Sequence, residues 1–91
     1  MEHHPFIRLE DNTEITYSNL KHNNGTEYVT VYFETPTIYG FNSMQVDYPD
    51  AVPNKIVGYT DNEIDYLMFH FKKVGHLAFE FAKEGNISCR H

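Results

Sequence analysis

Thr60–Gly85, TDNEIDYLMFHFKKVGHLAFEFAKEG, is the one long stretch with helical periodicity, and its reading decides the fold. Thr60 with Glu63 fits a capping box, in which the hydroxyl accepts from the Glu63 amide and the carboxylate reaches back to the Thr60 amide. Asp61, Glu63 and Asp65 place negative charge in the first turns, where the helix dipole favours it. Ile64, Leu67, Met68, Phe71 and Val74 recur at spacings of three and four and form one apolar stripe. Leu77, Ala78, Phe81 and Ala82 form a second stripe that roughly continues the first. Gly85 reads as a C-cap glycine. One continuous helix here would be about 24 residues and roughly 36 Å long, which is long for so small a domain. Gly75 is the weak point, since glycine costs about 1 kcal/mol relative to alanine inside a helix. The expectation is therefore one bent helix or two helices meeting near Gly75, of which two are favoured.

The segments before this stretch alternate with period two. Phe6–Glu10 reads as a first strand and Glu14–Leu20 as a second, joined by the turn Asp11-Asn12-Thr13, with Ile15 and Tyr17 set against Ile7 and Leu9. Leu20 falls out of phase, so the second strand ends or bulges near Asn19. Lys21–Gly25 reads as a turn built on Asn24-Gly25, the strongest short hairpin signal in the chain. Thr26–Glu34 follows, with Val29, Val31 and Phe33 directed at the helical region. Thr35–Gly40 reads as a connection and a candidate contact loop. Phe41–Tyr48 is a further strand, with Met44, Val46 and Tyr48 inward. Pro49 and Pro53 bracket an irregular segment, and Lys55–Tyr59 closes the series. Strands first and helix last define one α+β domain over residues 1–91. Its sheet is meander-like, antiparallel, of four to five strands over about residues 6–59, and covered on one face by the helical region at about 61–84. Residues 86–91 are expected to form a polar tail.

Composition narrows the functional classes. Residues 1–71 carry eleven acids against Arg8, Lys21 and Lys55, a balance of −8; the remainder carries four bases against Glu80 and Glu84, a balance of +2, for −6 in all. An acidic body disfavours direct contact with nucleic acid, because neutralising phosphates supplies most of that affinity. It suits a basic protein partner. No apolar run is long enough to span a bilayer and no signal peptide is evident, so a soluble, cytoplasmic chain without membrane contact is the expectation. The single cysteine cannot form an internal disulfide.

No glycine-rich phosphate loop and no His spacing suited to a metal is present, so the sequence calls for no cofactor, no metal and no catalysis. His70 and His76 are six apart and fall on different helix faces. Cys89 lies beside Arg90 and His91, which would lower its pKa, but in a terminal position unsuited to a rigid site. His70, His76 and Cys89 remain the residues of the alternative reading as a small enzyme or metal protein. The leading expectation is a contact patch on the outer sheet face, where Tyr28, Tyr32, Tyr39 and Phe41 are flanked by Glu34 and Asp47, since aromatics with a charged rim suit protein contact. A non-catalytic inhibitor or regulator of a basic partner follows from that patch. A homodimer formed through the aromatic face or an edge strand is the competing expectation.

Overall fold

The computed structural model describes residues 3–88, with side chains over 4–84. In chain order it contains β1 (His3–Arg8), β2 (Glu14–Ser18), β3 (Lys21–Asn23), β4 (Thr26–Thr37), β5 (Gly40–Tyr48), β6 (Pro53–Val57) and α1 (Asp61–Ser88). The strands form one antiparallel sheet in the order β1-β2-β4-β5-β6, with β3 paired to the first residues of β4. The architecture is the expected α+β one, with a single helix laid across one sheet face.

The sheet has six strands because the predicted second strand breaks at Asn19 and resumes as β3. β4, at 12 residues, is long enough to take both pieces on one side and β5 on the other. At the break Ser18 repairs the ladder: its hydroxyl accepts the Thr30 amide at 3.0 Å and donates to the Asn19 carbonyl at 2.8 Å. Lys21 to Asn23 thus form a short strand, and only Asn24-Gly25 turn the chain. Their φ values of 53° and 80° suit a type I′ hairpin, in which both central residues need positive φ. At the β1–β2 turn the Thr13 amide donates to Asp11 Oδ1, so the Asp side chain makes the turn. Ile7 lies opposite Ile15, an antiparallel register that already excludes Leu9 from facing Tyr17, and a bulge between Pro5 and Ile7 sets Tyr17 opposite His4.

β4 and β5 run beyond their expected ends. Pairing continues through Pro36–Phe41 to Thr37–Gly40, so the predicted connection is a hairpin with Ile38 and Tyr39 at its turn. Proline is tolerated at 36 because β2 pairs with β4 only as far as Glu34, and no ladder partner waits there for an N–H. The last strand is displaced toward the N-terminus, to Pro53–Val57. It is an edge strand, where proline is allowed, and Lys55 takes a positive φ at an irregularity in its pairing.

The core lies between the inner sheet face and α1. Ile15, Val31, Phe33, Met44 and Val46 meet Leu67, Phe71 and Ala78, with Tyr17, Tyr48, Tyr59, Ile64 and Met68 around them. The capping box forms in both directions: the Thr60 amide donates to Glu63 Oε1 at 2.8 Å, and the Glu63 amide donates to Thr60 Oγ1 at 3.2 Å.

Two helical expectations are corrected. Gly75 does not break the helix, and Gly85 does not end it: α1 is continuous for 28 residues. Gly75 is buried where the helix crosses Tyr48. A Cβ placed on it would stand 3.0 Å from Tyr48 Cδ2 and 3.1 Å from the Phe71 ring. The glycine permits close approach of helix to sheet, and that packing outweighs its propensity. The second apolar stripe is also narrower than expected. Of its members Ala78 and Ala82 are buried, whereas Leu77 and Phe81 are 46% and 42% exposed. Asn86–Ser88, expected as tail, continue the helix; Cys89, Arg90 and His91 lie outside the described residues. Among the described residues no helix is long and apolar enough to cross a membrane.

Candidate functional site

The residues expected to form one outer patch are distributed along the outer sheet face. Tyr32 is at its centre and only 6% exposed, flanked across the ladder by Thr16 and Gln45. Burial, followed by the nearby Asp47 and Tyr28, raises the pKa of its phenol. Tyr32 therefore offers almost no area to a partner. Tyr28 and Asp47 lie together toward one end, bordering a shallow depression of about 330 Å³ with Asn23, Asn24, Pro49 and Asp50. Asp47 is already engaged, accepting from Thr30 Oγ1 at 2.7 Å, and Lys21 Nζ donates to the same Thr30 oxygen at 3.0 Å. Lys21 also stands 5.6 Å from the centre of the Tyr28 ring.

Glu34, Tyr39 and Phe41 lie toward the other end, where the β4–β5 hairpin leaves the sheet. Past Glu34 the hairpin has no β2 neighbour, so three residues at about 3.3 Å each carry it roughly 10 Å further. Ile38 is 88% exposed, Tyr39 94% and Phe41 65%. Three large apolar side chains in water within four residues form the most exposed apolar feature among the described residues. Ile38 belongs to the Thr35–Gly40 connection expected as a contact loop, but it is not among the aromatic and acidic residues expected to form the patch.

The root of this hairpin is held by a chain of hydroxyls from three elements. Thr13 Oγ1 lies 2.6 Å from Thr35 Oγ1, Thr35 Oγ1 lies 2.7 Å from Tyr59 Oη, and Tyr59 donates to the Asn42 carbonyl at 3.3 Å. Such a network fixes the hairpin against the β1–β2 turn and the entry to the helix. The tip is thereby presented on a braced support, which lowers the ordering cost of binding.

The same end of the molecule gathers acids. Burial raises the pKa of Tyr59, opposed by its Thr35 hydrogen bond and reinforced by Asp11, Glu63 and Glu34. Those three carboxylates come from the first turn, the helix start and β4, so tertiary folding converges them. Glu14 and Glu34 lie directly opposite each other on β2 and β4, and Arg8 pairs with Glu14 at 3.0 Å. Like charges directly opposed across a ladder cost stability. A depression of about 340 Å³ among Arg8, Glu14, Glu34, Pro36 and Phe41 joins the acids to the apolar tip.

Of the residues of the enzyme or metal reading, Cys89 lies outside the described residues, and His70 and His76 stand on different faces of α1. His70 stacks edge-on against Tyr66, with ring centres 4.7 Å apart. His76 Nδ1 shares a 3.1 Å hydrogen bond with Tyr48 Oη, and its Nε2 lies 3.7 Å from Glu80. This Tyr48–His76–Glu80 chain is exposed on the helix surface. Among the described residues no three His, Cys, Asp or Glu side chains are grouped to hold a metal. No protein-family model, curated protein or solved structure matches the chain.

Proposed function

We propose that this protein is a non-catalytic interaction module that docks the β4–β5 hairpin tip onto a basic protein surface, of the kind that binds nucleic acid. It would act there as an inhibitor or regulator. The observation that carries the reading is the exposure of Ile38, Tyr39 and Phe41 on a root braced by Thr13, Thr35 and Tyr59. Apolar side chains left in water at a fixed projection gain most by entering a partner's cleft, and tyrosine is enriched among residues that dominate binding energy. Charge supplies the partner's chemistry: Asp11, Glu14, Glu34 and Glu63 surround the base of the tip, and a basic rim would complement them. Tyr28 and Asp47, at the other end of the face, are outside this contact.

The test is capture from a lysate of the native host on immobilised protein, quantified by mass spectrometry, at low and high salt. Wild-type protein should retain basic proteins that Tyr39→Ala with Phe41→Ala loses, and Glu34→Lys should weaken the same proteins. Raising salt to about 0.5 M should release them, since rim charges are screened within a few Å. Equal retention by the tip variants, or a captured set that is not basic, would refute the reading.

A further inference from the structure

We infer that the solvent-facing flank of α1 is a self-association surface, on which a second copy of this chain packs antiparallel about a two-fold axis at Leu77. Tyr66, His70, Lys73, Leu77, Glu80, Phe81 and Glu84 recur at spacings of three and four, so they share one flank. At 100° per residue the centre of this flank is turned about 120° from the line of Leu67, Phe71, Ala78 and Ala82 that packs on the sheet. Tyr66, Leu77 and Phe81 are each a little under half exposed there, Phe81 at the border of the flank with its ring edge-on to Phe6 of the sheet at 5.6 Å.

Charge on this flank is self-complementary. His70 and Lys73 stand seven and four residues before Leu77; Glu80 and Glu84 stand three and seven after it. An antiparallel copy therefore sets Leu77 against Leu77, Lys73 against Glu80 and Phe81, and His70 against Glu84, each pair occurring twice. A parallel copy would set Lys73 against Lys73, Glu80 against Glu80 and Glu84 against Glu84, so the pattern selects a two-fold partner. Among the described residues neither member of the central pair has a strong partner within its own chain. Lys73 Nζ lies over the Phe69 ring at 4.3 Å, and Glu80 faces the exposed His76 at 3.7 Å. A two-helix strip buries less than the standard interface of about 800 Å² per partner, which places the dimer in the weak class. The strip is separate from the hairpin tip and does not depend on the function proposed for it.

Sedimentation equilibrium from tens to hundreds of micromolar tests the inference, with circular dichroism to confirm folding. Wild-type protein should show a concentration-dependent monomer–dimer equilibrium, and Leu77→Glu should be monomeric throughout. Lys73→Glu and Glu80→Lys should each weaken the dimer about tenfold, because two attractive pairs become repulsive. The combined Lys73→Glu/Glu80→Lys variant should return to within about threefold of wild type. If Leu77→Glu unfolds the chain, the charge exchange decides alone. A wild-type monomer at every concentration, a dimer unaffected by Leu77→Glu, or a double variant no tighter than the singles would overturn it.

Discussion

Gly75→Ala sets two well-defined effects against each other. In an exposed helix interior the change would stabilise by about 1 kcal/mol, the propensity difference between the two residues. Here the new methyl meets Tyr48 Cδ2 at 3.0 Å and two Phe71 ring atoms at 3.1 Å. Carbon atoms in good contact stand about 3.5–4.0 Å apart, so both rings must retreat by about half an ångström. Neither is free to do so. Phe71 is 2% exposed, while Tyr48 packs against Phe79 with ring centres 5.5 Å apart and hydrogen-bonds His76. Overpacking of this kind costs about 1–3 kcal/mol. The net expectation is a destabilisation of about 1 kcal/mol, which for a domain of this size lowers the melting temperature by roughly 4–8 °C. Urea denaturation of wild type and Gly75→Ala in the Tyr48 background, and again with Tyr48→Leu, reads both terms. With the tyrosine ring removed from one side, the same methyl should become neutral or stabilising. A rise in the midpoint for Gly75→Ala beside the intact tyrosine would refute the close-approach account, and would return Gly75 to the role of a mere weak point.

Gly25→Ala should cost about 1 kcal/mol or more in thermal denaturation, because no atom lies within 4 Å of the new methyl but φ is +80°, a conformation alanine resists. Thr60→Ala should lose about 1 kcal/mol of the capping box, most of it recovered by Thr60→Ser. Tyr39→Ala should leave stability within about 0.5 kcal/mol of wild type, since the side chain is exposed, so any loss of partner capture reports contact alone. The pKa values of Tyr32 and Tyr59 are raised from the ordinary 10.0. The unfolded chain therefore sheds these protons first. Their contribution to stability is intact below pH 10.0 and is lost as the pH climbs through the raised folded-state values. Urea midpoints at pH 9 and about pH 11 should show this fall, reduced in Tyr59→Phe; a flat profile in wild type would contradict it.

Several elements were legible because their causes are local. Thr60 and Glu63 satisfy each other within one helical turn, and Asn24-Gly25 supplies the two positive φ values of its hairpin without outside help. Val29, Val31 and Phe33 reach the core because a period of two leaves them no other face. Errors arose where a local preference met a tertiary contact. Gly75 looked like a break until a tyrosine 27 residues earlier came to rest against it. Leu77 and Phe81 looked internal, but Leu77 is turned away from the sheet, and Phe81, edge-on to Phe6, keeps 42% of its surface in water. Pro36 looked like a strand end because the sequence does not show that the pairing of β2 with β4 goes no further than Glu34.

The candidate site divides in the same way. Tyr39 and Phe41 could be picked out from a proline- and glycine-bounded segment rich in aromatics, and the surplus of acid over base is arithmetic on the chain. That Tyr32 is hidden while Ile38 is exposed depends on which strands flank each residue. That Asp11, Glu34 and Glu63 share one end depends on the hydroxyl chain through Thr13, Thr35 and Tyr59. Alone, the sequence determined the α+β class, the helix cap, the tight hairpin and the inner face of the sheet, because hydrogen bonding and periodicity act over a few residues. The tertiary structure decided the continuity of the helix, the reach of the hairpin and the gathering of its acids, because those depend on packing and electrostatic contacts between residues far apart in the chain.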